Sequence, residues 1–190
     1  MKLKPFVRSA IVWKDQSTCV RLAVGAVIFS KRTKRLLSTG YNGTSTGVTH
    51  CTDLFSWAHG LPCIRNTLYA FVDVDASQFL ADADGNGWIP LKDSAYWYKL
   101  HHDFSELWEV HAEQNAILNL CKTGVNIDDD LAIVTTTAPC IMCAKLIIAT
   151  GIKTVYYLSE YDRSETDTAS YFSKNGVQYI RVSEDTDEDI

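Results

Sequence analysis

Apolar positions along the chain follow two different periods, and their alternation outlines a fold. Phe6, Val7, Ala10, Ile11 and Trp13 recur at helical spacing, which predicts an amphipathic helix over residues 3–15, ended by Asp15-Gln16-Ser17. Leu22 to Phe29 is a run rich in Val and Ile and predicts a buried strand. A basic turn, Lys31-Arg32-Thr33-Lys34-Arg35, leads to Leu36–Tyr41, its expected hairpin partner. Residues 42–66 show no period and are expected to form a long loop; residues 67–100 are expected to be an insertion of mixed short elements. Regular patterns then return: helix Trp108–Lys122, strand Leu131–Thr137, helix Cys140–Thr150 closed by Gly151, strand Thr154–Leu158, helix Glu165–Lys174 and strand Val177–Val182. Ser183–Ile190 is acidic and expected to be a disordered tail. Helix, hairpin, then alternating helix and strand imply an α/β protein, a mixed sheet with helices packed on its faces.

Bulk properties bound this picture. A chain of 190 residues with 46% hydrophobic and 22% charged positions suits one globular domain, here 1–182, carrying its insertion. The net charge of −5 disfavours a nucleic-acid polymer as partner, because phosphates are held by Lys and Arg. The N-terminus lacks the apolar stretch of a signal peptide, and no run approaches the roughly 18 apolar residues of a membrane span. The expectation is a cytoplasmic protein without a membrane partner, in the host cytoplasm if viral. Thiols stay reduced there, so six cysteines ask for metal or catalytic roles before disulfides.

Two short motifs carry the chemistry. His111-x-Glu113 opens one predicted helix and Pro139-Cys140-x-x-Cys143 opens another. One imidazole and two thiolates suit Zn²⁺, and three protein ligands leave a fourth tetrahedral position for water, as catalytic rather than structural zinc requires. Cys140 and Cys143 are one helical turn apart, so both sulfurs can face one ion, and helix N-termini favour thiolates. Glu113, two residues beyond His111, can stand beside the metal and move protons between water and a substrate ring. In this order the motifs form the H-x-E…P-C-x-x-C signature of zinc nucleobase deaminases.

With its flanking residues the chain resembles the phage-type deoxycytidylate deaminases of the cytidine deaminase-like superfamily. The resemblance rests on Val24-Gly25-Ala26-Val27-Ile28, Gly40-Tyr41-Asn42-Gly43, His111 to Ile117, Ala138 to Lys145 and Gly151-Ile152-Lys153. It implies a three-layer fold with a five-stranded mixed sheet. It implies hydrolysis of dCMP to dUMP and ammonia by attack of water at cytosine C4, supplying dUMP for dTMP synthesis. Glu113 would protonate N3 and then the departing amino group. Asn42, Ala112 and Tyr161 are the substrate contacts it suggests, although Asn42 before Gly43 is also an ordinary turn signal. It further implies a homohexamer activated by dCTP and inhibited by dTTP, bound with Mg²⁺ at a site built around Gly40, Tyr41, Asn42 and Gly43, to which Asn115 and Lys122 are added. The family pattern continues Gly-Tyr-Asn-Gly with a Pro two residues on, whereas this chain has Thr44-Ser45-Thr46-Gly47, which leaves effector preference open.

The same resemblance implies a second, structural zinc held by Cys19, Cys51, His101 and Glu109, tying the first helix, the long loop and the catalytic helix together. His102 and Cys63 are rival ligands, and unliganded core cysteines with a solvent-facing His pair are the alternative. Asp82-Ala83-Asp84-Gly85-Asn86-Gly87, with Ile89 and Asp93, has the outline of a calcium loop, but Asp93 stands where a bidentate Glu belongs and a Gly-rich turn accounts for it better. Two other functions fit the motifs: a single-stranded DNA or tRNA deaminase, which needs a basic groove with stacking aromatics, and a non-catalytic zinc or nucleotide-binding regulator, which has no need of Glu113.

Overall fold

The computed structural model describes all residues except 1, 59, 123, 125–129, 162–166, 187, 188 and 190. Its elements run α1 Lys4–Lys14, β1 Gly25–Ser30, β2 Arg35–Tyr41, β3 Gly43–Thr44, α2 Cys51–Leu54, β4 Phe55–Ala58, β5 Leu61–Arg65, β6 Trp88–Pro90 and α3 Ser94–Trp108. They continue with β7 Glu109–Val110, α4 Ala112–Lys122, β8 Leu131–Thr137, α5 Ile141–Ala149, β9 Thr154–Ser159, α6 Thr168–Lys174 and β10 Gln178–Arg181. These fall into two compact units: Met1–Ser17, Ala23–Asn42 and His111–Ile190 form one, and Thr18–Leu22 with Gly43–Val110 form the other. The expected insertion, 67–100, lies within the second unit, which extends well beyond it.

The first unit contains the anticipated five-stranded mixed sheet, in the order β10-β9-β8-β1-β2. β8, β9 and β10 are parallel, and β1 is antiparallel to both β8 and β2. Alternation of side chains divides the core. Ala26, Ile28, Ile133 and Val155 face α4, α5 and α6 through Ala116, Ile117, Ala144, Ile147 and Phe172. Val27, Phe29, Ala132, Val134 and Tyr156 face α1 through Phe6, Val7 and Ala10. β1 and β8 are therefore buried along their whole length and carry the apolar runs Ala26–Phe29 and Leu131–Val134, since both of their faces are covered. The first strand begins at Gly25, three residues later than the apolar run suggests. The Val24 N–H is taken by the Asn42 side chain at 2.7 Å, and Gly25 N–H by Thr136 Oγ1 at 3.0 Å.

The second unit holds the three-stranded antiparallel sheet β4-β5-β6 under α3. Phe55 meets the rings of Trp97, His101 and Phe104 edge-on, and Trp97 Nε1 donates to the Cys63 carbonyl at 3.0 Å. Residues 42–66, expected as one loop, thus contain a two-residue strand, a helical turn and a hairpin. The helix expected over 108–122 is α4, which begins four residues later. α3 ends at Trp108, β7 pairs with β3 (Gly43 opposite Val110, Thr44 opposite Glu109), and α4 starts only at Ala112. His101 and Glu109 therefore lie outside the helix that follows His111.

Two terminal expectations also meet detail. The predicted helix start at Glu165 lies outside the described residues, and α6 runs from Thr168. In the segment expected as a disordered tail, Asp185 pairs with Lys4 at 3.3 Å, Asp189 with Lys2 at 3.5 Å, and Thr186 is buried. Opposite charge at the start of α1 accounts for this placement. In the Asp-Gly segment, Asp84 Oδ1 accepts from Asn86 N and Trp88 N, and Asp93 Oδ1 caps α3 at Tyr96 N. Their carboxylates stabilise a turn and a helix start rather than pointing together at a cation.

Candidate active site and metal centres

His111 immediately precedes α4. Its backbone N–H is accepted by the Gln114 side chain at 2.8 Å and its carbonyl accepts from Asn115 N at 2.9 Å, so the first turn of the helix fixes the residue. Cys140 is the N-cap of α5, in extended geometry, and Cys143 lies in the first turn. Their sulfurs stand 3.6 and 3.4 Å from His111 Nδ1, and the three ligand atoms lie within 4.8 Å of one another. Tetrahedral zinc with its usual Zn–S and Zn–N lengths requires a sulfur–nitrogen separation of about 3.6 Å. The donor set fits the metal in chemistry and in spacing.

The ionisation pattern agrees. A hydrogen bond from the Cys143 thiol, then the His111 ring, lowers Cys140 to about 4, while burial opposes the shift. Cys143 is pushed up because its proton is held between the two sulfurs and because it is buried. Glu113 is only 4% exposed, and burial raises its carboxyl pKa, with His111 opposing. A buried carboxyl beside a cation-binding cluster is suited to take up and release a proton.

A second cluster lies wholly within the other unit. Cys19 Sγ is 3.4 Å from His101 Nε2, and Cys51 completes a group whose ligand atoms are within 4.8 Å of one another. The Cys51 thiol, donating to Cys19, lowers Cys19 to about 3 against the cost of burial, while Cys51 itself is raised. Glu109, expected as fourth ligand, stands beside Cys19 but outside this mutual group. Its Oε2 accepts from Ser105 Oγ at 2.7 Å, its Oε1 is buried without a hydrogen-bond partner among the described residues, and burial followed by the nearby Cys19 lifts its carboxyl to about 7. Of the rivals, His102 is exposed and the Cys63 thiol turns to the Leu61 carbonyl. The elements joined are the 18–22 segment, α2 and α3, with Glu109 of β7 beside them, not the helix that follows His111.

Other expected residues are placed less uniformly. Asn42 is buried, and its Oδ1 accepts from Val24 N and Ser17 Oγ, each at 2.7 Å. Asn42 follows β2 and Gly43 opens β3, so the pair is not a two-residue turn. Ala112 is buried at the start of α4, and Tyr161 is half-buried just after β9. Tyr41 stacks on Trp13 with ring centroids 6.2 Å apart, and its carbonyl accepts from Asn115 Nδ2 at 2.8 Å. Gly40 packs beneath α4, Gly43 is buried, and Lys122 is exposed at the far end of α4. Sequence reasoning missed Gln114, although its position three residues into the helix after His111 is a recognised capping signal. It also missed Thr136, whose hydroxyl role depends on a contact 111 residues away and leaves no local trace.

The cytidine and deoxycytidylate deaminase zinc-binding region matches residues 1–159. Deoxycytidylate deaminase of Enterobacteria phage T4 is 28% identical over 182 residues, 96% of this chain and 90% of that one. A probable deoxycytidylate deaminase of Drosophila melanogaster is 31% identical over 179 residues, 93% of this chain and 70% of that one. Among solved structures, the dCMP deaminase of cyanophage S-TIM5 in complex with dCMP and dUMP has the same fold, with a TM-score of 0.60 at 23% identity over 94% of this chain and 95% of that one. The chain belongs to the zinc-binding cytidine and deoxycytidylate deaminase family and is a deaminase. Among the described residues no helix is long and apolar enough to cross a membrane.

Proposed function

We propose that this chain hydrolyses dCMP to dUMP and ammonia. The observation that carries the proposal is the buried carboxyl of Glu113 beside a His-Cys-Cys set spaced for zinc, in a chain matched along most of its length by deoxycytidylate deaminases. His111, Cys140 and Cys143 would hold the zinc, which when bound acidifies water and so supplies a nucleophile at neutral pH. Glu113 accepts the proton released as water adds to C4 and delivers it to N3. As the C4–N4 bond breaks, Glu113 transfers a second proton, from the C4 hydroxyl, to the departing amine; the keto product and ammonia then leave. Its burial raises the carboxyl pKa, so that it can hold each proton between accepting it and delivering it. Asn42, Ala112 and Tyr161 are proposed to contact the nucleotide.

Three finer features belong to the same proposal. Cys19, Cys51 and His101, with Glu109 beside them, hold a second, structural zinc; a buried imidazole facing two thiols supports this. A nucleoside triphosphate with Mg²⁺, dCTP activating and dTTP inhibiting, acts at Gly40–Gly43, Asn115 and Lys122 in a homohexamer. The product serves dTMP synthesis in the cytoplasm. The net charge of −5 favours a free nucleotide over a DNA or tRNA substrate.

Ammonia release from dCMP, CMP, dCTP, deoxycytidine and a deoxycytidine-containing oligonucleotide, each with and without dCTP or dTTP, tests the proposal. The expected result is the highest kcat/KM with dCMP and none with the oligonucleotide. Equal turnover of the oligonucleotide, or none of any substrate by zinc-loaded protein, would overturn it.

A further inference from the structure

The contact between α4 and β2 is unusually close and is held from both sides. An ideal Cβ on Gly40 would lie 2.3 Å from the Ala112 carbonyl oxygen and 2.4 Å from the Ala116 nitrogen. These are the two atoms that an α-helix joins in its i to i+4 hydrogen bond, here the bond spanning Glu113. Around this point, Ser38 Oγ donates to the Ala116 carbonyl at 2.6 Å, Asn115 Nδ2 donates to the Tyr41 carbonyl at 2.8 Å, and Asn119 Nδ2 donates to the Thr39 carbonyl at 3.0 Å. Asn115 and Asn119 are four residues apart and so lie on one stripe of the helix. β2 ends the sheet order, so α4 is fastened to an edge strand by its own side chains.

We propose that this clamp, with Gly40 at its centre, positions the first turn of α4 and so sets where His111 and Glu113 stand relative to Cys140 and Cys143. The inference rests on the proposed roles of these residues and assigns Gly40 and Asn115 a task separate from effector binding. They are positioning residues, since they act through the helix backbone. The physical argument is one of distance. An ordinary Cβ contact begins at 3.4 Å, so one methyl group at residue 40 must push the helix back by about 1 Å. A misplacement of that size costs on the order of 100-fold in rate. The same shift displaces the His111 imidazole relative to both sulfurs.

The test uses Gly40→Ala and Asn115→Ala in the full chain, with Leu118→Ala on the exposed side of α4 as control. Two measurements are made on each: kcat and KM for dCMP, and the rate at which zinc is surrendered to a chelator. Gly40→Ala is expected to lower kcat on the order of 100-fold with KM little changed, and to release zinc faster. Asn115→Ala is expected to show a smaller change of the same kind, although Ala is the better helix former; Leu118→Ala is expected to match the wild type. Wild-type kcat in a folded Gly40→Ala, or a raised KM at unchanged kcat, would overturn the inference. If Gly40→Ala does not fold, Asn115→Ala decides by the same criteria. If the wild type does not turn over dCMP, the proposed function fails. The chelator measurement still decides the clamp, and unchanged zinc release in the folded variants overturns it.

Discussion

Asn42 uses its carbonyl oxygen inside the fold, accepting from Val24 N and Ser17 Oγ, and the contact to a sugar hydroxyl proposed for it would fall to its amide. Asn42→Asp separates these roles, because a carboxylate keeps the acceptor and loses the donor. The expected outcome is an intact fold and zinc content with KM for dCMP raised on the order of tenfold, the worth of about 1.4 kcal/mol; steady-state kinetics on dCMP would show it, and an unchanged KM would remove Asn42 from the substrate. The candidate zinc ligands and Glu113 were legible in the chain because their spacing is local: Glu113 lies two positions after His111, and one helical turn separates Cys140 from Cys143. The pairing of Cys19 with His101, 82 residues apart, left no such signature and was suggested only by family resemblance. Glu109 shows what spacing cannot convey, since a residue two positions before His111 can stand near a cluster without joining its mutual ligand set.

At the level of elements, sheet-forming runs were recovered well because strands covered on both faces, as β1 and β8 are, carry unbroken apolar runs such as Ala26–Phe29 and Leu131–Val134. The boundary between α3 and α4 was not. Trp108, Ala112, Ala116, Ile117 and Leu120 sustain a helical pattern across the break. The signal that ends α3 is pairing of β7 with β3, which lies more than sixty residues earlier in the chain. α3 itself was concealed in the presumed insertion, although Trp97, Leu100, His101 and Phe104 are buried at helical spacing. Its N-cap gives a clean prediction. Asp93→Ala removes the bond to Tyr96 N and should lower unfolding stability by about 1 kcal/mol, read by denaturant titration. Calcium added to the wild-type protein should produce no binding heat in calorimetry; a saturable heat would contradict the assignment of Asp84 and Asp93 to turn and cap.

On the scale of the whole molecule, each unit has its own apolar core and its own cluster of thiols and imidazole. Metal analysis should therefore find two zinc ions per chain, and Cys51→Ser should retain the catalytic metal while losing the other and lowering thermal stability. Unfolding followed by calorimetry, with metal counted by atomic emission, checks both. The division into two units was not apparent from composition, because before α3 the second unit is built from short elements whose Gly, Thr, Cys and aromatic residues carry no long periodic pattern. The family's central chemistry was apparent, because it is concentrated in two motifs. The most direct measurement is ammonia release from dCMP by the zinc-loaded wild type and by Glu113→Gln at equal zinc content. The wild type should turn over, and the variant should keep its zinc and lose between roughly 100- and 10,000-fold in kcat. A variant that retains wild-type kcat would contradict the assignment of Glu113 as the proton-transferring group.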